Sequence, residues 1–378
     1  MPSALGNLRV LDFSRILAGP FATMVLGDLG AEVLKVERPE RGDDTRSWGP
    51  PHDARGQATY FDAVNRNKTS IVLDLGDARG RGRAQELARG ADVLVENFRP
   101  GVMDRLGLGW EELSAGQPRL VYCSITGFGT GAGAELPGYD LLVQALGGLM
   151  SITGSPDAEP QKVGVALVDV IAGLFATVGI LGALRHRDQT GHGQRVQVDL
   201  LSSLLAALVN QAAGFTAAGV VPERLGNAHP SIAPYELYPC GEGELVLAVG
   251  NDRQFAALAD VLGAPALAED RRFATNPSRV EHRGALREEL VERLAARAAR
   301  EWAQELTAAR VPAGVVNDVG QAFALAEQLG LGPIVALPLS EGGEIRLPRN
   351  PIGLSRTPPS YRSAPPPLAR ERGRPTRG

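Results

Sequence analysis

Five histidines, two cysteines and one oddly placed aspartate frame the chemistry open to this 378-residue chain. His52, His186, His192, His229 and His282 stand apart, with no H-E-x-x-H pair or other metal-ligand spacing, so no metal site is expected. Cys123 and Cys240 form no C-x-x-C pair and read as small buried apolar residues. No serine lies in G-x-S-x-G. A carboxylate is therefore the better candidate for a nucleophile. Asp169 is the lone charge in the apolar stretch 163–184. Burying a carboxylate is costly unless it is satisfied. Two compatible readings stand: a helix N-cap accepting bonds from free backbone N–H groups, or a nucleophile in dry surroundings. In the second, the helix N-terminus would keep the carboxylate ionised.

The elements that must hold such a group alternate strand and helix over the first 130 or so residues. Apolar runs at 8–13, 32–36, 70–75, 92–98 and 120–126 read as strands, with a helix at 18–29 and polar helical segments between the others. That order predicts an α/β fold with a parallel sheet and right-handed crossovers. Ligands of such sheets gather at the carboxyl ends of the strands. Those ends read Ser14-Arg15-Ile16-Leu17-Ala18-Gly19-Pro20, Glu37-Arg38-Pro39, Asn97-Phe98-Arg99-Pro100-Gly101 and Thr126-Gly127-Phe128-Gly129. Arginines beside small residues at a helix N-terminus suit a phosphate-bearing ligand. Neither G-x-G-x-x-G after the first strand nor G-x-x-x-x-G-K-[ST] is present, and 129–133 reads as a flexible glycine-rich loop.

Farther along, 138–215 reads as apolar helices broken near 153–162 and 189–193. A strand at 244–249, helices at 252–262 and 283–309 and a strand at 311–316 make a second domain. The expected division is a large domain over 1–200 to which 325–378 returns, a helical linker at 200–225 and a small domain at 225–320. The proline-rich, basic end at 358–375 is expected to be extended or disordered, with residues after Leu368 dispensable. A net charge of −4 argues against a nucleic-acid partner. The N-terminus has no basic region followed by an apolar run, and 163–184 reads as a buried helix rather than a membrane span. The expectation is a cytoplasmic protein without a membrane partner.

Several stretches, in order, resemble the class III coenzyme A transferases of the CaiB/BaiF type. They are LRVLDFSRILAGPFATMVLGDLGAEVLKVERPERGDDTR, NRNKTSIVLDL, ADVLVENFRPGVMDRLGLGWEEL, SITGFG, PGYDLLVQALGGLMSITG and VGVALVDVIAG, then more weakly RLGNAHPSIAPYELY and GNDRQFAALADVLG. The wording is closest to succinyl-CoA-dependent dicarboxylate CoA-transferases. The resemblance implies that Asp169 is the nucleophile, acylated by an acyl-CoA and then resolved by a carboxylic acid acceptor. It implies coenzyme A contacts at Ala18, Arg38, Asn97, Phe98 and Arg99, with Leu73 and Met103 lining the groove. The coenzyme A thioester would be substrate, with no permanently bound cofactor. The implied fold is a Rossmann-like large domain plus a smaller α/β domain in an interlocked homodimer.

Two departures bear on substrate. Formyl-CoA:oxalate transferases have glutamine where this chain has Leu17, which argues against oxalate as acceptor. The family's alpha-methylacyl-CoA racemases have histidine where this chain has Tyr139, and a phenol with pKa about 10 is a poor base at neutral pH. Tyr139 is expected to pack against the acyl pocket beside Leu17. CoA transfer is thus preferred over racemisation and over non-catalytic acyl-CoA binding, which the presence of Asp169 opposes.

Overall fold

The computed structural model describes residues 3–369. Six strands form one parallel sheet: β1 (Arg9–Asp12), β2 (Glu32–Glu37), β3 (Lys68–Val72), β4 (Val93–Glu96), β5 (Val121–Thr126) and β6 (Arg195–Asp199), in the order β3-β2-β1-β4-β5-β6. The order reverses between β1 and β4, so the crevice at their carboxyl ends is where this topology places a ligand. Successive side chains leave a strand on opposite faces. Val10, Val93, Val95 and Cys123 meet the helices Ala18–Asp28 and Leu167–Thr190 on one face. Leu11, Phe13, Leu94 and Tyr122 meet the helix Ala78–Arg89 on the other.

The chain divides into two compact units. The first holds the parallel sheet and, from Gly332 onward, the hairpin of β10 (Ile334–Pro338) and β11 (Glu344–Pro348). The second comprises Met150–Gln161 and Val221–Leu331. Its antiparallel sheet of β7 (Tyr235–Pro239), β8 (Glu244–Ala248) and β9 (Ala313–Val315) packs through Leu245 and Leu247 on Phe255, Leu290 and Trp302. The helices Leu200–Ala207 and Val209–Ala218, bent 86° to each other, belong to the first unit.

Several sequence expectations change. The helix expected over 283–309 is two, Arg283–Leu294 and Ala299–Ala308, because the Arg297 carbonyl accepts from Gly241 N–H and Ala299 N–H donates to the Glu242 carbonyl. β6 follows the expected break at 189–193, where helix was expected to resume. Cys240 is half-buried, whereas Cys123 is fully buried.

The proline-rich end is extended, as expected for 358–369, but it is not free. Arg362 donates to the carbonyls of Gly27, Gly30 and Ala31, and Ser363 exchanges bonds with Asn67. Arginine, unlike the prolines around it, can donate to several carbonyls at once, here those at the end of the helix Ala18–Asp28 and in the turn that follows it. The dispensable segment expected beyond Leu368 lies, apart from Ala369, outside the described residues.

The helix Leu167–Thr190 is long and apolar enough to cross a membrane by length and composition. Its face of Val168, Ala172, Ala176, Ile180 and Ala183 is buried in the core of the parallel-sheet unit, as for a core helix.

Candidate active site

Asp169 stands in the first turn of the helix Leu167–Thr190 and is 9% exposed. It is not the N-cap: Ala166 holds that position, and its side chain makes no capping bond. The capping group comes from another helix. Asp140, first residue of Asp140–Leu146, accepts through Oδ1 from the backbone N–H of Val168 at 2.8 Å and of Asp169 at 3.3 Å. Gln144, one turn on, donates to Asp140 Oδ2 at 2.6 Å and accepts from Val163 N–H at 2.9 Å. Asp140 therefore satisfies donors of the helix start that Asp169 was expected to satisfy itself, and Gln144 holds Asp140 and the stretch of chain before the helix.

The electrostatics follow. No described donor bonds the Asp169 carboxylate. Burial first, and then the neighbouring Asp140 charge, push its pKa up to about 7. Desolvation and a like charge both favour the neutral acid, so near pH 7 the carboxyl is divided between its neutral and ionised forms. A carboxyl titrating near neutrality in a cleft is a candidate for chemistry.

Close approach builds the surroundings of Asp169. A Cβ on Gly173, one turn after Asp169, would stand 2.6 Å from the Ala18 carbonyl oxygen, so glycine lets the two helix starts meet. A Cβ on Gly127 would meet Gly138 Cα at 2.4 Å, so the loop after β5 and the turn before Asp140 lie backbone to backbone. Between them is a cavity of about 80 Å³ lined by Asp169, Ala18, Asn97, Phe98, Arg99 and glycine-rich backbone at 127–133.

Two further cavities adjoin Phe98. One of about 210 Å³ is bordered by Arg99 and Met103, and one of about 180 Å³ by Arg15, Arg38 and Leu73. The strand ends are joined at the switch point by Asn97, which accepts from Arg15 N–H at 2.9 Å and donates to the Arg15 carbonyl at 2.8 Å. Arg15 lies over the Phe98 ring, 4.8 Å from its centre. Burial, then the nearby Arg38 guanidinium, lowers the pKa of Arg15. Two cations brought together in this way favour a polyanion. Arg38 is paired with Asp44, whereas Arg99 is exposed and makes no ion pair among the described residues.

Buried charges fix the turn after β1. Asp12 accepts from Ser14, Thr23 and Lys68, and Lys35 donates to the Ser14 carbonyl and forms an ion pair with Asp43, each at 2.8 Å. Asp43 Oδ1 accepts from the N–H of Ile16, whose φ of 68° is unusual for a β-branched residue.

Seven of the sequence-derived positions, Ala18, Arg38, Leu73, Asn97, Phe98, Arg99 and Met103, thus border these cavities, with Asp169 in the first. Leu17 and Tyr139 border none of them. Leu17 is buried against Met24 and Val64. Tyr139 is 60% exposed: its backbone leads into Asp140–Leu146 and its ring stays outside the core of this chain. Sequence reasoning missed the roles of Asp140, Gln144 and Tyr60. Tyr60, like Ala166 and Val170, packs against the cluster of Leu17, Met24 and Val64, and no local pattern signals that arrangement. Arg15 had a signal in its strand-end position.

Residues 5–372 match the family described as CoA-transferase family III. The chain belongs to CoA-transferase family III. It is an enzyme of that class, acting on coenzyme A thioesters. The transferase is 43% identical to a succinate–glutarate CoA-transferase of Agrobacterium fabrum over 96% of this chain and 92% of that one. It is 42% identical to an acetyl-CoA:oxalate CoA-transferase of Acetobacter aceti, over 92% of this chain and 88% of that one. A crystal structure of a CaiB/BaiF family protein from Brucella suis superposes with a TM-score of 0.86 at 44% identity, covering 97% of each chain.

Proposed function

We propose that this transferase moves coenzyme A from succinyl-CoA to a dicarboxylic acid through a covalent intermediate on Asp169. The observation that carries the reading is the Asp169 carboxyl itself: buried, without a donor among the described residues, and in a cavity with Ala18, Asn97, Phe98 and Arg99. Succinyl-CoA:glutarate CoA-transferases of mouse and human, 42% and 40% identical, support the donor and acceptor class.

The ionised Asp169 attacks the thioester carbonyl, and the C–S bond breaks to give an aspartyl anhydride and the coenzyme A thiolate. The thiolate attacks the aspartyl carbonyl, releasing the donor's carboxylate and leaving an aspartyl thioester. The acceptor carboxylate attacks that thioester and expels the thiolate, which returns to the acceptor's carbonyl and frees Asp169. Every nucleophile and leaving group is an anion, so no net proton moves. The chain divides one slow exchange into covalent steps. Backbone N–H groups of the glycine-rich segment 127–133 face the developing oxyanions. Arg15, Arg38 and Arg99 meet the coenzyme's phosphates.

The assembly is an interlocked homodimer acting in the cytoplasm. Leu174, Phe175 and Val178 on the nucleophile's helix and Leu205 and Phe215 on the bent pair are exposed. An apolar surface of this kind on a single chain suits burial by a second copy.

Incubation with succinyl-CoA and glutarate, read by mass spectrometry, should yield glutaryl-CoA and succinate. Exchange of an α-hydrogen with solvent, without movement of coenzyme A, would overturn transfer in favour of racemisation.

A further inference from the structure

Two arginines outside the cavities tie one loop to the far end of the chain. Arg55 donates to Asp53 at 2.6 Å, to Asp62 at 3.0 Å and to the Pro365 carbonyl at 3.3 Å. Arg46 forks onto Glu37 with two bonds of 2.7 Å, donates to Gln57 at 3.0 Å and to the Pro366 carbonyl at 3.1 Å, and lies 3.7 Å over the Phe61 ring. The loop 43–62 is thereby pinned to two successive carbonyls of the C-terminal segment. Prolines at 365–367 stiffen that segment, because each fixes φ and none needs a partner for an N–H. Its other end is anchored: Ser360 N–H donates to the Asp28 carbonyl at 2.8 Å and Arg362 N–H to Asn67 Oδ1 at 2.7 Å.

The pinned loop carries Trp48 and Tyr60, whose rings meet edge to face at 5.3 Å. Tyr60 shares an apolar cluster with Ala166 and Val170, which flank Asp169 in sequence. Its phenol is near enough to Asp169 and Asp140 that their charges, after burial, raise its pKa. A path of hydrogen bonds therefore runs from the Pro365 carbonyl through Arg55 to Asp62 in the short helix Thr59–Asp62, whose Tyr60 packs on the apolar cluster that also receives Ala166 and Val170.

We propose that Arg55 is a positioning residue: it clamps the loop 43–62 to the C-terminal strap 360–368 and so fixes Tyr60 and Trp48 beside Asp169. The proposal rests on the reading of Asp169 as the nucleophile. Small displacements of groups around a reacting atom cost rate out of proportion to their size.

The test compares the full chain with Arg55→Met, Arg55→Lys and a chain ending at Ser363. Hydrogen exchange over 43–62 should quicken in Arg55→Met and in the shortened chain, with the sheet as protected as before. The kcat for transfer should fall about tenfold in each, with KM for acyl-CoA nearly unchanged. Arg55→Lys, which keeps a donor, should recover part of that loss. Combining Arg55→Met with the truncation should cost no more than the worse single change, since both remove the Arg55–Pro365 link and the truncation alone also removes the Arg46–Pro366 one. Wild-type exchange and kcat in either variant, or losses that simply add, would overturn the proposal. Should Arg55→Met fail to fold, the shortened chain and Arg55→Lys decide it. Hydroxylamine trapping of wild-type protein separates the two ideas: no hydroxamate at Asp169 would remove the nucleophile reading, while loop exchange would still report on the strap.

Discussion

At the residue scale the site is a pair of carboxylates with divided work. Asp140 caps the helix that carries Asp169, and its charge, after burial, holds Asp169 near pH 7. Asp140→Asn keeps a capping oxygen and removes that charge. Losing a neighbouring anion favours the ionised form, so the Asp169 pKa should fall. The pH–rate profile for acylation should then move toward acid while the fold stays intact; an unmoved acid limb would count against this coupling. The same shift has a stability consequence. The folded pKa lies above the ordinary carboxylate value, so the favourable contribution is complete below about pH 4 and is lost as pH rises through about 7. Asp169→Asn should therefore be more stable than wild type at pH 8, by about 2–4 kcal/mol, and nearly equal to it at pH 4. Denaturant titrations at the two pH values check this. The lone charge among apolar neighbours made Asp169 legible in the sequence. The Asp140 cap was not legible, because a side chain reaching 28 residues ahead leaves no local pattern.

At the element scale, strands with apolar runs and the helix after β1 were legible, because period and length alone identify them. β6 was hidden by half-buried alternation in Arg-Val-Gln-Val-Asp directly after a long helix. The buried ionic cluster beneath the turn after β1 was equally hidden, since Lys35 and Lys68 in strands read as solvent-facing until Asp12 and Asp43 are placed beside them. Burial lowers the Lys68 pKa to about 8 against the attraction of Asp12. Lys68→Met leaves Asp12 buried without its cation and should destabilise the chain by about 3–5 kcal/mol. Thermal unfolding of the variant measures that loss, and a melting temperature equal to wild type would show that Ser14, Thr23 and the Lys35 charge satisfy Asp12 without Lys68.

At the scale of the whole molecule, family membership rests on 370 aligned residues at 43% identity, and the proposal reaches further, to a dimer and a covalent route. Light scattering at micromolar concentration should give twice the chain mass, and a stable, active monomer would remove the interlocked assembly. Arg99 is exposed and free of ion pairs among the described residues, so Arg99→Ala should raise KM for acyl-CoA by the equivalent of about 1–3 kcal/mol with kcat little changed. The measurement that bears most directly on the central claim is hydroxylamine trapping during turnover with succinyl-CoA, followed by peptide mass mapping. A hydroxamate at Asp169 alone, absent without succinyl-CoA and absent in Asp169→Asn, is the expected result. Full transfer activity in Asp169→Asn, or a hydroxamate at Asp140 instead, would contradict it.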